Sequence, residues 1–168
     1  MKNPNPEVTP CILLAEDHAD DVFFIRRAFK KAGLTPEIVV ARDGQEAVDY
    51  LNSCSTSEFP VPRPLPNLLL LDLNMPRMNG FDVLQWLTAR PQFNPLPVIV
   101  YSSSNLESDV QRAKSLGADG YCVKPVGSDD LLPFVRHLYK RWLTKPPKPV
   151  TLARDSSRMT HMVGQCRD

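Results

Sequence analysis

The chain has 168 residues, 42% of them hydrophobic, so it can form one domain around a single core and is too apolar for a disordered polar tail. Twenty Lys and Arg against 19 Asp and Glu give a net charge of +1, which provides no overall field that attracts nucleic acid or an anionic membrane. Any such partner must therefore be indicated by local features. We expect no membrane association, because the longest aliphatic run, Leu68 to Leu71, is far too short to span a bilayer, and no direct DNA binding, because residues 144–168 are too few for a DNA-binding domain. Four cysteines without a C-x-x-C pair, and an N-terminus without an apolar stretch, favour reduced thiols in a cytoplasmic protein over a disulfide scaffold, a zinc site or an exported protein.

Short apolar runs alternate with amphipathic stretches along the chain, a pattern typical of βα units that build a parallel sheet. The predicted strands are residues 12–15, 38–41, 68–71, 98–101 and 120–123. The predicted helices that follow them are residues 21–32, 45–52, 81–90, 106–116 and 130–143. Each strand is nearly all apolar, so both faces of the sheet should be covered. The pattern predicts an α/β fold with a five-stranded, doubly wound parallel sheet.

Two segments fall outside this alternation. In residues 53–67, prolines at alternate positions exclude a helix and predict a stiff, extended loop, either a surface insertion without a partner or a binding loop. These prolines are Pro60, Pro62, Pro64 and Pro66. Residues 144–168 open with K-P-P-K-P and hold five basic and two acidic residues, which predicts a basic tail that is flexible or used for docking. We expect an N-terminal arm at 1–9 and one domain at 10–143 that contains the insertion.

Polar side chains follow four of the five predicted strands. Glu16 and Asp17 follow the first strand, Asp72 the third, a serine run starting at Ser102 the fourth, and Lys124 the fifth. In an open parallel sheet, ligands bind beyond the carboxyl ends of the strands. Any one of these residues alone could be a solvated loop residue. Together they predict a site with three carboxylates, hydroxyls and one ammonium.

Three clustered carboxylates repel one another, and a bound divalent cation would hold them ionised. Oxygen-only ligands, without His or Cys, indicate Mg²⁺. A carboxylate beside Mg²⁺ can attack a phosphoryl group, and a serine hydroxyl and a lysine ammonium can bind the oxygens of the product. The predicted chemistry is transfer of a phosphoryl group onto an aspartate.

The run from Asp72 to Gly80 reads D-L-N-M-P-R-M-N-G and occupies the turn between the third strand and the third helix. Four further motifs stand around it: the acidic pair Glu16-Asp17, Ser102 after the fourth strand, the segment G-A-D-G-Y from Gly117 to Tyr121, and Lys124-Pro125. Together these motifs resemble the receiver domain of two-component response regulators over about residues 10–143. The resemblance implies a flavodoxin-like (βα)5 receiver fold.

Within that family, the chain is similar to the single-domain regulators that partner phytochrome-like and other hybrid sensor kinases. The similarity lies in the E-D-x-x-D-D start with Asp20 and Asp21, the long loop before the third strand, and R-W-L-T at 141–144. His18 departs from the Asn expected beside the acidic pair. It could be a loop residue, a modulator of entry or an extra ligand, and the first interpretation is favoured because Mg²⁺ disfavours imidazole.

The resemblance also implies a role for each residue at the sheet edge. Asp72 would be the phosphoacceptor and a metal ligand. Asp17 would bind Mg²⁺ directly, Glu16 would bind it through water, and Asn74 would contribute its backbone carbonyl. Each of these groups offers oxygen, the donor that Mg²⁺ prefers.

The remaining implied roles concern the phosphoryl oxygens and the response to them. Ser102 would bond one phosphoryl oxygen and move toward it on activation, and Lys124 would pair with another. Tyr121 would be the aromatic switch on the fifth strand. The family's Lys-Pro bond is commonly cis, so a cis bond is expected between Lys124 and Pro125.

The resulting hypothesis is a single-domain response regulator and not an enzyme. A sensor histidine kinase or a phosphotransfer protein would phosphorylate Asp72 in a Mg²⁺-dependent reaction, and altered binding to a downstream protein would pass the signal on. Whether the chain forms a homodimer stays open. Two alternatives are an aspartyl-phosphate phosphatase, which lacks its second acid because the motif is D-L-N, and a degenerate receiver acting as a constitutive scaffold. The intact Asp17, Asp72 and Lys124 count against the second alternative.

Overall fold

The computed structural model describes residues 9–55, 65–125 and 131–144. The strands are β1 (Cys11–Ala15), β2 (Glu37–Ala41), β3 (Leu68–Leu71), β4 (Val98–Ser102) and β5 (Gly120–Val123). The helices are α1 (Ala19–Lys31), α2 (Gly44–Ser55), α3 (Gly80–Thr88), α4 (Glu107–Ser115) and α5 (Leu131–Leu138). A 3₁₀ turn, Pro91–Phe93, follows α3, and a π-helical turn, Tyr139–Leu143, continues α5. The predicted alternation of strands and helices is confirmed.

The five strands form one parallel sheet in the order β2-β1-β3-β4-β5. Leu13 pairs with Val39 of β2 on one side and with Leu69 of β3 on the other. Strand order therefore reverses between β1 and β3, and ligands of open α/β sheets bind at the carboxyl ends of the strands beside such a reversal. This order is that of the flavodoxin-like fold, and it places the residues after β1 and β3 next to each other.

Side chains that alternate along β1 enter two separate cores, one on each face of the sheet. Leu13 and Ala15 pack with residues of α2, α3 and α4, whereas Ile12 and Leu14 pack with residues of α1 and α5. Each fully buried leucine contributes about 1.5–3 kcal/mol to folding relative to an exposed one. Helices thus cover both faces, and the doubly wound architecture is confirmed.

The turn between β3 and α3 has its geometry fixed at both ends. Asn79 begins α3 with reciprocal hydrogen bonds: its Oδ1 accepts from the Asp82 N–H at 3.0 Å, and Asp82 Oδ2 accepts from the Asn79 N–H at 3.2 Å. The next residue, Gly80, donates its N–H to the Leu73 carbonyl at 3.0 Å. The turn therefore folds back against the backbone that directly follows Asp72.

Gly80 is needed there because a Cβ atom would lie 2.3 Å from the Asp72 carbonyl oxygen and 2.8 Å from Leu73 Cα. Both contacts are to backbone, so neither can relax by a change of rotamer. Gly80→Ala is expected to lower the free energy of unfolding by about 1–3 kcal/mol, measured by urea denaturation. Gly33→Asn is the control: Gly33 has a φ of +72° and open space at Cβ, and Asn tolerates that conformation. Equal stability of Gly80→Ala and wild type would contradict this explanation.

Two predicted helix ends differ from the structure by three residues or more. α2 continues to Ser55, three residues beyond its predicted end, and overlaps the start of the predicted insertion at 53. The Ser53 hydroxyl donates to the Tyr50 carbonyl at 2.6 Å, a bond that a helix accommodates. α5 ends at Leu138, and its predicted last turn is π-helical. The residue at which a helix ends, and whether its last turn is α- or π-helical, depends on backbone hydrogen bonds that residue type alone does not determine.

Several predictions fall on residues that the structure does not describe. These are the arm up to residue 8, the stiff loop at Pro60, Pro62 and Pro64, the start of α5 at residue 130, and the tail from residue 145. Pro66, the last of the alternating prolines, is described and is buried. Among the described residues, no helix has the length and apolar character required to cross a membrane.

Candidate functional site

The acidic residues predicted at the sheet edge lie side by side because the strand ladder continues one step past β1 and β3. The Glu16 N–H donates to the Ala41 carbonyl at 2.9 Å, and the Asp72 N–H donates to the Ala15 carbonyl at 3.0 Å. Only 1% of Glu16 and 3% of Asp72 is exposed. The backbone of both residues is therefore held in line with the sheet, and both carboxyl groups are largely removed from water.

Four side chains at this edge form a cluster of potential metal ligands: Glu16, Asp17, His18 and Asp72, with one ligand atom from each lying within 4.8 Å of the others. Asp17 Oδ1 is buried and accepts no hydrogen bond from the described residues. Adjacent carboxylates with oxygens this close together fit a divalent cation, which would offset their mutual repulsion. Asn74 lies in the loop two residues after Asp72, and its side chain is exposed.

Lys124, which follows β5, extends its ammonium group into the acidic cluster. Its Nζ lies 2.7 Å from Glu16 Oε2, 2.8 Å from Asp21 Oδ2 and 3.2 Å from Asp72 Oδ2. Only 11% of the Lys124 side chain is exposed. The structure thus brings Lys124 to Asp72 and Glu16 as predicted, and one ammonium partly neutralises three carboxylates.

The pKa values of this group follow from burial opposed by ion pairing. Burial lowers the pKa of Lys124, but hydrogen bonds to Asp21 and Glu16 and the charge of Asp72 outweigh it, so the Lys124 pKa is raised. Burial raises the pKa of Glu16, and the hydrogen bond with Lys124 offsets only part of that change. Lys124 is therefore firmly cationic, and Glu16 depends on it to remain charged.

Ser102 and Tyr121 are joined through the loop that follows β4. Ser102 ends β4 fully buried, and its Oγ accepts from the Ser104 N–H at 3.4 Å. The Tyr121 hydroxyl donates to the Ser104 carbonyl at 2.9 Å, and burial raises the Tyr121 pKa, which keeps this donor protonated. The Ser104 hydroxyl donates to Asp109 of α4 at 2.6 Å. A movement of Ser102 would therefore shift the Ser104 loop and change its hydrogen bonds with Tyr121 and with the start of α4.

The Lys124–Pro125 peptide bond is trans, since no peptide bond among the described residues is cis. The expectation of a cis bond, which came from the family resemblance, is wrong for this chain. A peptide bond before proline favours trans by about 0.5–1 kcal/mol in the absence of other contacts. The backbone after β5 nevertheless places Lys124 at the site, because its N–H donates to the Ser102 carbonyl at 2.8 Å.

Two residues of the site were not assigned a role from the sequence. Asp21, in the first turn of α1, is a partner of Lys124, and its only sequence signal was its place in the acidic start motif. Arg77, in the loop after Asp72, has a φ of +63° and forms ion pairs with Asp43 and Glu46 of the β2–α2 region. Arg77 ties the loop that contains Asn74 to the start of α2, a contact between segments far apart in sequence.

Comparisons with known proteins agree with this geometry. Residues 12–136 match the response regulator receiver domain family. The chain is 35% identical over 132 residues to the probable methanogenesis regulatory protein FilR2 of Methanothrix harundinacea, a match that covers 79% of this chain and 83% of FilR2. It is 33% identical over 132 residues to the response regulator Rcp1 of Synechocystis sp., covering 79% of this chain and 88% of Rcp1.

Solved structures give the same result. The crystal structure of the Mn²⁺-bound form of Rcp1 superposes with a TM-score of 0.68 at 32% identity, covering 86% of this chain and 99% of that one. The crystal structure of the phosphorylated cyanobacterial phytochrome response regulator RcpA superposes with a TM-score of 0.71 at 32% identity, covering 81% of this chain and 95% of that one. These relatives confirm the narrower resemblance to phytochrome-partner regulators. By fold, site geometry and sequence, the chain belongs to the response regulator receiver family.

Proposed function

We propose that Asp72 accepts a phosphoryl group from a sensor histidine kinase or a phosphotransfer protein. The observation that supports this assignment is the environment of its carboxylate, which is 3% exposed, adjoins the oxygen donors of Glu16 and Asp17, and lies 3.2 Å from Lys124 Nζ. Positive charge placed beside a nucleophilic carboxylate stabilises the oxygens of an arriving phosphoryl group.

The two oxygens of Asp72 differ in their surroundings. Oδ1 accepts the Leu73 N–H at 2.7 Å, which orients the carboxylate, while Oδ2 faces Lys124. In the proposed reaction, an Asp72 oxygen forms a bond to phosphorus as the phosphorus–nitrogen bond of a phosphohistidine breaks. The electron pair of that bond stays on the donor's imidazole, and Lys124 pairs with a phosphoryl oxygen.

We further propose that the site binds Mg²⁺ through Asp17, Asp72 and the backbone carbonyl of Asn74, with Glu16 acting through water. The oxygen donors in the cluster support this proposal, as does the relative Rcp1, which has a structure with Mn²⁺ bound. When bound, the cation supplies neutralisation of the charge on the phosphoryl oxygens.

The signal would leave the site through Ser102 and Tyr121. Phosphorylation would replace the single negative charge of the Asp72 carboxylate with a phosphoryl group that carries about −1.5 to −2 charges and three acceptor oxygens, which would draw the Ser102 hydroxyl inward. Because the Ser104 loop connects Ser102 to Tyr121 and α4, Tyr121 would reorient and the surface of α4, β5 and α5 would change. This surface would then bind a downstream protein or a second copy of the chain, without direct contact with DNA.

A signalling role is preferred over that of a phosphatase with an aspartyl-phosphate intermediate. Such phosphatases of the haloacid dehalogenase type place a second acid two residues after the nucleophile, where this chain has Asn74. We also propose a cytoplasmic location, which is consistent with Cys11, Cys54 and Cys122 forming no disulfide within the described part of the chain.

The proposed function is tested by incubating the full chain with Mg²⁺ and acetyl phosphate and measuring its intact mass. We expect the addition of one phosphoryl group, and no addition when EDTA replaces Mg²⁺. Absence of an adduct with Mg²⁺ present would contradict the proposal. Repeated hydrolysis of phosphorylated metabolites would instead support the phosphatase alternative.

A further inference from the structure

His18 holds an imidazole at the edge of the acidic cluster, where the predicted role was that of a loop residue. It occupies the N-cap position of α1, and its side chain makes no capping hydrogen bond. Its backbone N–H donates to Glu16 Oε1 at 3.2 Å, and its carbonyl accepts the Val22 N–H at 3.2 Å. The backbone of His18 is thus fixed by two hydrogen bonds, while its ring takes no part in capping the helix.

The position of the ring nitrogen is that of a ligand atom. His18 Nδ1 lies 3.0 Å from Asp17 Oδ1 and 3.5 Å from Glu16 Oε1. Neighbouring ligand atoms around an octahedral cation with bonds of about 2.1 Å are separated by about 3 Å. The same Asp17 oxygen is buried and accepts no hydrogen bond from the described residues. The Nδ1–Oδ1 pair therefore has the spacing of two adjacent ligands of one ion.

Imidazole changes which cations such a site prefers. Oxygen donors alone suit Mg²⁺, whereas nitrogen from histidine suits divalent transition metals such as Co²⁺, Ni²⁺ and Zn²⁺. The His18 side chain is 67% exposed, so the ring can turn toward a bound ion without breaking core packing. The residues that would hold an ion thus include the buried carboxylates of Glu16 and Asp72 and the exposed imidazole of His18.

We propose that His18 is a nitrogen ligand of this site and shifts its selectivity from Mg²⁺ toward divalent transition metals. The inference rests on the proposed divalent cation site and adds a ligand to it. The competing explanation is a hydrogen bond in which Nδ1–H donates to Asp17. A ring protonated at Nδ1 cannot bind a metal through that atom, so the two explanations make opposite predictions for the metal-loaded protein.

The test is electron spin-echo envelope modulation of the Mn²⁺-loaded full chain, which detects a ¹⁴N nucleus bonded to the metal. We expect an imidazole nitrogen signal in wild type, none in His18→Asn, and an unchanged signal in His137→Asn, which removes an exposed histidine of α5. Asn is a favoured N-cap residue, so His18→Asn is expected to keep α1 folded, as circular dichroism would show.

A second readout is cation affinity measured by calorimetry. Ni²⁺ should bind His18→Asn at least about tenfold more weakly than wild type, since the loss of even an indirect metal partner typically costs that much. Mg²⁺ affinity should change by less than about twofold, because Mg²⁺ gains little from nitrogen. Bound Mn²⁺ without a nitrogen signal, or equal Ni²⁺ affinities, would overturn the role of His18 and leave the cation site standing. Failure of wild type to bind Mn²⁺ at all would overturn both.

Discussion

Asp72→Asn is expected to abolish the phosphoryl adduct formed with Mg²⁺ and acetyl phosphate. The amide has no negative charge, is a poor nucleophile, and offers the cation one oxygen in place of a carboxylate. Asp72 is also flanked by Lys124, which cannot take its place as nucleophile because it is held cationic and its nitrogen has no free electron pair. Intact mass spectrometry should show the unmodified chain alone.

The matched control is Asp49→Asn, which makes the same chemical change on the exposed face of α2. It should be phosphorylated like wild type. Asp72→Asn should also remain folded, because it removes one of three carboxylates that share a single ammonium. An adduct on Asp72→Asn of the same yield as wild type would show that another residue is the phosphoacceptor.

Lys124→Gln is expected to slow phosphorylation by acetyl phosphate by about 10²-fold, the typical cost of losing one group that stabilises developing oxygen charge. It should also lower the free energy of unfolding by about 3 kcal/mol without Mg²⁺, because Glu16 and Asp72 are buried and would lose their cation. Adding Mg²⁺ should recover part of that stability. Urea denaturation with and without Mg²⁺, and the rate of adduct formation, measure the two effects.

The loss of stability caused by Lys124→Gln should become smaller as the pH falls. Burial raises the pKa of Glu16, so the folded chain holds this proton more tightly than the unfolded chain. A carboxyl group of this kind destabilises the fold as pH rises above its unfolded pKa. The deficit of Lys124→Gln should therefore shrink at acidic pH. Lys30→Gln, on the exposed face of α1, is the control, and a deficit equal to that of Lys124→Gln would contradict the ion-pair explanation.

The strands could be located from the sequence because a parallel strand covered on both faces must be apolar throughout, as Leu68–Leu71 shows. The sheet edge could be located for the same reason, since the first polar residue after each strand lies where the ligand site of this fold lies. That argument alone predicted that Glu16, Asp72 and Lys124 lie close together, as they do in the structure.

The contacts that escaped prediction join segments distant in sequence. Asp21 reaches Lys124 across 103 positions, and Arg77 reaches Asp43 across 34. Neither pairing has a local periodicity, because each depends on how α1 and the β3–α3 loop pack on the sheet. The trans bond at Lys124–Pro125 escaped because the two isomers differ by only about 1 kcal/mol, which local context decides.

The central claim, that a phosphoryl group is bonded to the Asp72 carboxylate, can be tested directly by chemical trapping. Borohydride reduces an aspartyl phosphate to homoserine, and peptide mass spectrometry locates the changed residue. After incubation with Mg²⁺ and acetyl phosphate, the predicted result is homoserine at position 72 and unchanged residues at Glu16 and Asp17. Reduction at either of those two residues, or at none, would contradict the claim.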